Sequence, residues 1–214
     1  MPSFCLSWGA LPFDRSAPDL TAHALRAWNA WHSSFDQGLQ QRCRRAMKRA
    51  INYLKANQRA DGAWVPLWFG NQFAENEENP LYGTSRVLMA LSAFQENEAA
   101  RFMACRASQW IRAAQKSDGG WGGEARCAST TEETALAVEA LAALATSQKP
   151  QCKENETAVA NGARWLSSKV ESGEWMPPAP IGLYFARLWY FEKLYPQIFT
   201  VAAMRRARVL AAAG

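Results

Sequence analysis

The sequence predicts an all-α fold, a partial α/α toroid of about four helical hairpins, and three observations carry that reading. Apolar residues recur at three- and four-residue spacing in blocks several turns long, the rhythm of helices rather than of strands. Trp64, Trp121 and Trp175 return at intervals of 57 and then 54 residues, the length of a two-helix unit. Within each unit the helix before the tryptophan is charged, as in "QQRCRRAMKRAINYLKANQ", and the helix after it is small and apolar, as in "TALAVEAL". That asymmetry separates an outer layer from an inner one that surrounds an apolar cavity.

Taken in order, the periodicity predicts eight helices, near 19–33, 38–57, 82–95, 98–115, 131–146, 156–170, 181–194 and 197–212. The links between them are Gly, Pro and Asp/Asn clusters that stop helices: "PFDRSAP", "ADGAW", "NEENP", "SDGGWGG", "ESGEW" and "PPAP". The boundaries place an N-terminal extension at 1–17 and the helical domain at 18–214. Asp19 follows Pro18 at the head of the first helix, so it reads as an N-cap, whose carboxylate accepts backbone N–H bonds and has a lowered pKa. Thr130 to Glu133, "TTEE", reads as a capping box with its acidic groups at the positive end of a helix.

The tryptophans sit in a repeated spacing: Gln58, Gly62 and Trp64, then Gln115, Gly119 and Trp121. Glycine lets the backbone turn sharply after an outer helix, and a glutamine amide beside the indole ties one hairpin to the next. The third copy keeps Gly173 and Trp175 but has Val170 or Glu171 near the glutamine place, so its staple is expected to be weaker.

Composition bounds the function. A chain of 214 residues with 49% hydrophobic and 20% charged residues builds a packed core and suits one domain or part of a larger one. The net charge of +5 is mostly scattered; the runs Arg42, Arg44, Arg45, Lys48, Arg49 and "MRRAR" at 204–208 read as solvated faces able to meet anionic headgroups. Five cysteines, with no CxxC and no cysteine–histidine ligand spacing, argue for reduced thiols in the cytoplasm and against a zinc site. His23 and His32 have no cysteine partner at ligand spacing. No apolar run is long enough to span a bilayer, and no phosphate loop, dinucleotide fingerprint or nucleic-acid motif is present, so no cofactor, metal or nucleic acid is expected.

The Q-x-x-x-G-x-W spacing, with "NPLYGTSRVLMAL", "STTEETALAVEAL" and "FARLWYFEKLYPQIFTVAAMRRAR" around it, resembles the closing part of the squalene–hopene and oxidosqualene cyclases. The resemblance implies class II cyclisation in hopanoid-type triterpenoid biosynthesis: an aspartic acid protonates an alkene of a linear polyprene such as squalene, and aromatic faces hold the carbocation. It also implies peripheral contact with the inner membrane face. The acid motif D-x-D-D-T-A is absent. Asp19-Leu-Thr-Ala fits the D-C-T-A pattern of the oxidosqualene branch and makes Asp19 the candidate catalytic acid. A second register, counted from the C-terminus, matches "PDLTAH" to a later segment of the family and is favoured; it leaves the acid outside this chain.

By the same resemblance Trp68, Phe69 and Phe73 match a cavity-lining aromatic segment, with Tyr82 following, and these are the candidate substrate-binding residues. Tyr184, Phe185 and Trp189 read as core packing. Four hairpins are too few to close a ring, so an open apolar edge is expected, covered by a second copy or a companion cyclase subunit. The competing function is a non-catalytic cyclase-like domain that binds lipid or a helical partner.

Overall fold

The computed structural model describes residues 16–147, 153–179, 181–183 and 188–212. Most of the expected N-terminal extension, Cys5, Cys152, Tyr184 and Phe185 lie outside the described residues. Seven α-helices occur among those described: α1 (Pro18–Trp31), α2 (Gln37–Asn57), α3 (Pro80–Leu91), α4 (Glu98–Ala113), α5 (Thr131–Ser147), α6 (Lys153–Ser172) and α7 (Tyr195–Ala211). Side-chain caps start four of them: Asp36 accepts from Leu39 N, Asn79 from Tyr82 N, Asn97 from Ala100 N and Thr130 from Glu133 N, at 2.9, 2.9, 3.0 and 3.2 Å.

The helices form two layers. α1, α3, α5 and α7 pack in succession as the inner wall, and α2, α4 and α6 pack behind them. Polarity decides which helix goes where: α5 presents a run of buried alanines and leucines from Ala135 to Ala145 and is covered on nearly all sides, whereas α2 buries only Cys43, Ala50, Ile51 and Leu54. Three hairpins are complete, and α7 is the inner helix of a fourth. The result is an arc of an α/α toroid.

The expected helix over 181–194 is corrected. Ile181–Leu183 (β1) and Leu188–Tyr190 (β2) pair antiparallel, with Gly182 opposite Trp189. Gly182 has φ +153°, outside helical space, and the aromatics of "LWY" suit an extended chain as well as they suit a helical stripe. A short apolar run cannot distinguish the two by periodicity. α7 therefore takes the inner position that the sequence reading gave to 181–194, packing on α5 and α6.

Both full staples form, with matching bonds. Trp64 Nε1 donates to Leu54 O (2.9 Å) and Trp121 Nε1 to Ile111 O (2.7 Å), each ten residues back. Their backbone N–H groups donate to Thr84 Oγ1 and Thr134 Oγ1 on the following inner helix. Gln58 Nε2 donates to Gly62 O and to Met103 O on α4; Gln115 Nε2 donates to Gly119 O and to Ala158 O on α6. One amide thus joins its own turn to the next outer helix. Gly62 and Gly119 have φ of +100° and +91°, and a Cβ at Gly62 would lie 2.8 Å from Arg106 O, so the turn requires glycine on both counts. Trp175 is half-buried and makes none of these bonds with the described residues.

The arc has an open edge. Between α6 and α7 runs a groove of about 960 Å³, lined by Val159, Ala160, Val201, Met204, Ala207 and Leu210 among others. Ile198, Val201 and Val209 on α7 are exposed. Among the described residues the inner layer ends with apolar surface uncovered, as the shortage of hairpins anticipates.

Candidate active site

The inner helices run side by side with their N-terminal turns at one end of the arc, which gathers Asp19 from α1, Tyr82 and Arg86 from α3, Glu132 and Glu133 from α5, and Phe199 from α7. Only Tyr82 with Arg86 and Glu132 with Glu133 are local neighbours; the four helices that carry the six are far apart in sequence. Helix stacking alone brings them to one end.

Asp19 is not an N-cap. Pro18 occupies the first turn and Ala17 is the cap residue, so Asp19 falls one position inside the helix. It is 0% exposed, and neither carboxylate oxygen has a hydrogen-bond partner of good geometry, although the backbone N–H groups of Asp19 and Leu20 lie near enough to favour its charged form. Burial raises its pKa, against the amide dipoles of Asp19 and Leu20 and the Arg86 charge. The expected lowered pKa of a capping carboxylate is thereby reversed, because burial disfavours the charged form.

Tyr82 is buried, and burial pushes its phenol up to about 12 despite the nearby Arg86 charge. The Phe69 ring lies 4.8 Å from it at 32°. The Arg86 guanidinium stands 5.0 Å from the Tyr82 ring centre and 4.8 Å from that of Phe199, so it bridges α3 to α7 through two aromatic faces. Its buried Nε has no hydrogen-bond partner. Two of the cation-stabilising faces at this end are already occupied by a protein cation.

Two further carboxyls complete the site. Glu132 is 3% exposed and accepts from Ala179 N at 2.9 Å; burial pushes it up to about 8, with Glu133 adding to the rise and the Ala179 N–H and Arg86 opposing it. Burial thus favours its protonated form. Glu133 is also raised by burial, while Thr130, Asn79 and Asn71 hydrogen-bond it. Asn71 and Asn79 donate to its Oε1 at 3.1 and 3.2 Å, and Thr130 is bonded to its Oε2. The expected capping box is half present: Glu133 N donates to Thr130 Oγ1, but the Thr130 N–H goes to Trp121 O and the Glu133 carboxyl pins the loop before α3 instead.

Of the residues expected to bind substrate, the structure brings Phe69 and Tyr82 together. Trp68 is buried apart from them, in a small cluster with Ala17 and Leu67, although Phe69 touches both groups. Phe73 is 68% exposed, in a turn where its N–H donates to Asn71 Oδ1, and has no ring contact among the described residues. Sequence reasoning missed Arg86, Glu132 and Phe199. The available signal was the lone charge in the apolar stretch "TSRVLMAL", since a charge on an inner helix must face a cavity or a partner.

Residues 7–209 match the squalene-hopene cyclase C-terminal domain. The chain belongs to that family. Within it, the chain is 32% identical over 203 residues to a copalyl diphosphate synthase of Streptomyces cyslabdanicus, covering 93% of this chain and 32% of that protein. It is 30% identical to a probable squalene–hopene cyclase of Sinorhizobium fredii, over 78% of this chain and 25% of the relative. The solved ent-copalyl diphosphate synthase of Streptomyces platensis superposes with a TM-score of 0.70 at 24% identity, covering 92% of this chain and 34% of that one, which shows the shared fold. This cyclase-family chain therefore spans about a third or less of those relatives. Among the described residues no helix is long and apolar enough to cross a membrane.

Proposed function

We propose that this chain is the C-terminal wall of a class II terpene cyclase and takes part in closing a linear polyprene into rings through carbocations. The observation that carries this is Asp19: a carboxyl sealed from solvent, without a hydrogen-bond partner and with a raised pKa, at the same end of the inner wall as the Phe69–Tyr82 aromatic pair. Protonating an alkene needs an acid that is neither solvated nor paired, and the cation that results needs aromatic faces and no nucleophile. Asp19 is the acid this chain itself offers. Phe69 lines the cation's path, with Trp68 packed behind it, while Tyr82 supports Phe69 with its own face taken by Arg86.

The work of the ring is shared with further helices. The apolar groove between α6 and α7 is the surface on which they, or a second copy of the chain, would close the toroid. The exposed basic residues of α2, Arg42, Arg45, Lys48 and Arg49, support contact with anionic headgroups where the polyprene is delivered.

Incubating the purified chain with squalene and with longer prenyl substrates, beside Asp19→Asn, tests the reading. Cyclic product from the parent and none from a folded Asn variant is the expected result, since an amide cannot deliver the proton. Equal product from both excludes Asp19. The absence of product from either, with the chain bound to the substrate, would favour a second reading, a non-catalytic domain that holds lipid or a helical partner, for which the open α6/α7 groove speaks.

A further inference from the structure

The segment between α6 and β1 contains "MPPAP", Met176 to Pro180. Proline carries no N–H, so Ala179 holds the only backbone donor from 177 to 180. That donor goes to a side chain far away in sequence and not to a neighbouring strand or turn: Ala179 N donates to Glu132 Oε1 on α5 at 2.9 Å, across 47 residues. Ala179 and Glu132 are each 3% exposed, whereas Met176 is 59% exposed, so this strap crosses the surface and dips inward where the carboxyl takes it. The next tie from this region to the body of the arc among the described residues is weaker, Gly70 N donating to Gly182 O of β1 at 3.4 Å, beside Phe69.

The two adjacent glutamates are held in different ways. Glu133 is bonded by Asn71, Asn79 and Thr130 side chains, whereas among the described residues the Glu132 carboxyl has the Ala179 N–H alone. The charged groups that act on Glu132 come from three places: Glu133 on its own helix and Glu192 ahead of α7 disfavour its ionised form, and Arg86 on α3, which Asp19 on α1 also feels, favours it. Burial outweighs Arg86 and the N–H together. An ionised Glu132 is therefore driven toward water, and the strap above it is tied down there by one hydrogen bond.

We propose that Glu132 is a pH-sensitive latch, which fastens the 176–179 strap at the acid end of the inner wall while its carboxyl is protonated and releases it on ionisation. Fastened, the carboxyl keeps its proton up to about pH 8; with the strap lifted and the group in water, it keeps it only to the ordinary 4.5. Between those limits fastening weakens by up to about tenfold per pH unit as pH rises, and above about 8 it levels off. The latch governs water. The end it covers holds Asp19, Phe69 and Tyr82, and cation chemistry there requires a dry site; that consequence rests on the cyclase reading, while the latch itself does not.

Hydrogen exchange resolved at the Ala179 amide of the purified chain, without substrate, tests the latch. The exchange rate divided by the intrinsic rate at each pH gives the opening constant of the strap. It should rise at least about tenfold from pH 6 to pH 8, and at every pH it should exceed the opening constant of a buried α5 amide such as that of Leu141. In Glu132→Gln, whose amide oxygen still accepts the N–H, the rise should vanish. A thermal melt checks that this variant folds, and the parent profile stands without it. A flat profile in the parent, or a rise that survives in Glu132→Gln, overturns the latch. So does an Ala179 amide that opens no more readily than Leu141, because the strap would then lift only with the whole fold. Each of these outcomes leaves the cyclase reading standing, since that reading is decided by product from squalene.

Discussion

Replacing Trp121 by alanine should destabilise the chain by about 4–5 kcal/mol, near the top of the range for a large buried aromatic. The indole is 0% exposed, and its Nε1–H serves Ile111 O at 2.7 Å, so truncation leaves both a void and an unpaired carbonyl. Collapse into the void is restricted. Gly162 of α6 approaches so closely that a Cβ there would stand 2.6 Å from the indole and 2.5 Å from Val138, and α6 is held in place by the Gln115 bond to Ala158 O. For a chain of this size each kcal/mol moves the midpoint by about 2–4 °C, so the melt should fall by roughly 8–20 °C. Gln115→Ala removes two hydrogen bonds and should cost about 1–3 kcal/mol. Trp175→Ala, at a half-buried ring without a glutamine, should cost less than about 1.5 kcal/mol. Urea and thermal melts followed by circular dichroism give the order. If Trp121→Ala and Trp175→Ala fell together, or Trp121→Ala moved the midpoint by under about 3 °C, the staple would not be what joins the hairpins.

Glu132 has a folded-state pKa of about 8 against an ordinary value of 4.5, so the folded state holds its proton more tightly and stability should fall as pH rises across that window and level off above it. The full shift corresponds to at most about 5 kcal/mol; Glu132→Gln, whose amide oxygen still accepts from Ala179, should flatten the fall in denaturation curves taken across that window, and an unchanged pH profile would show that Glu132 is ionised in the fold. Gly62→Ala meets both φ +100° and a carbonyl 2.8 Å away, whereas Gly173→Ala meets φ +77° and open space, so melts should show the first costing about 1–3 kcal/mol and clearly more than the second. Phe73→Ala should leave the melting midpoint within the noise, because the side chain is 68% exposed; a loss comparable to that of Phe69→Ala would mean it packs against something in solution.

The repeat was legible because it is local. Gln58, Gly62 and Trp64 lie within one turn region and their bonds mostly close over short sequence distances, so spacing alone announces the staple and, repeated at Trp121, the stacking of hairpins. The alternation of charged and apolar helices likewise follows from which face each can bury, which composition records. The segment 181–190 escaped because aromatic residues at short spacing suit a strand and a helix equally, and the choice was made by Gly182 and by the neighbour available for pairing.

What the sequence by itself determined is the all-α repeat, its inner and outer layers and its family. Tertiary structure alone decided the chemistry of the inner wall: that Asp19 is sealed without a partner, that Arg86 lies between Tyr82 and Phe199, and that Glu132 takes the Ala179 N–H. The physical reason is range. Helix and staple formation depend on residues within a few turns of one another, whereas the protonation of a buried acid and the pairing of an arginine depend on what helices tens to hundreds of residues away bring to the same few ångströms.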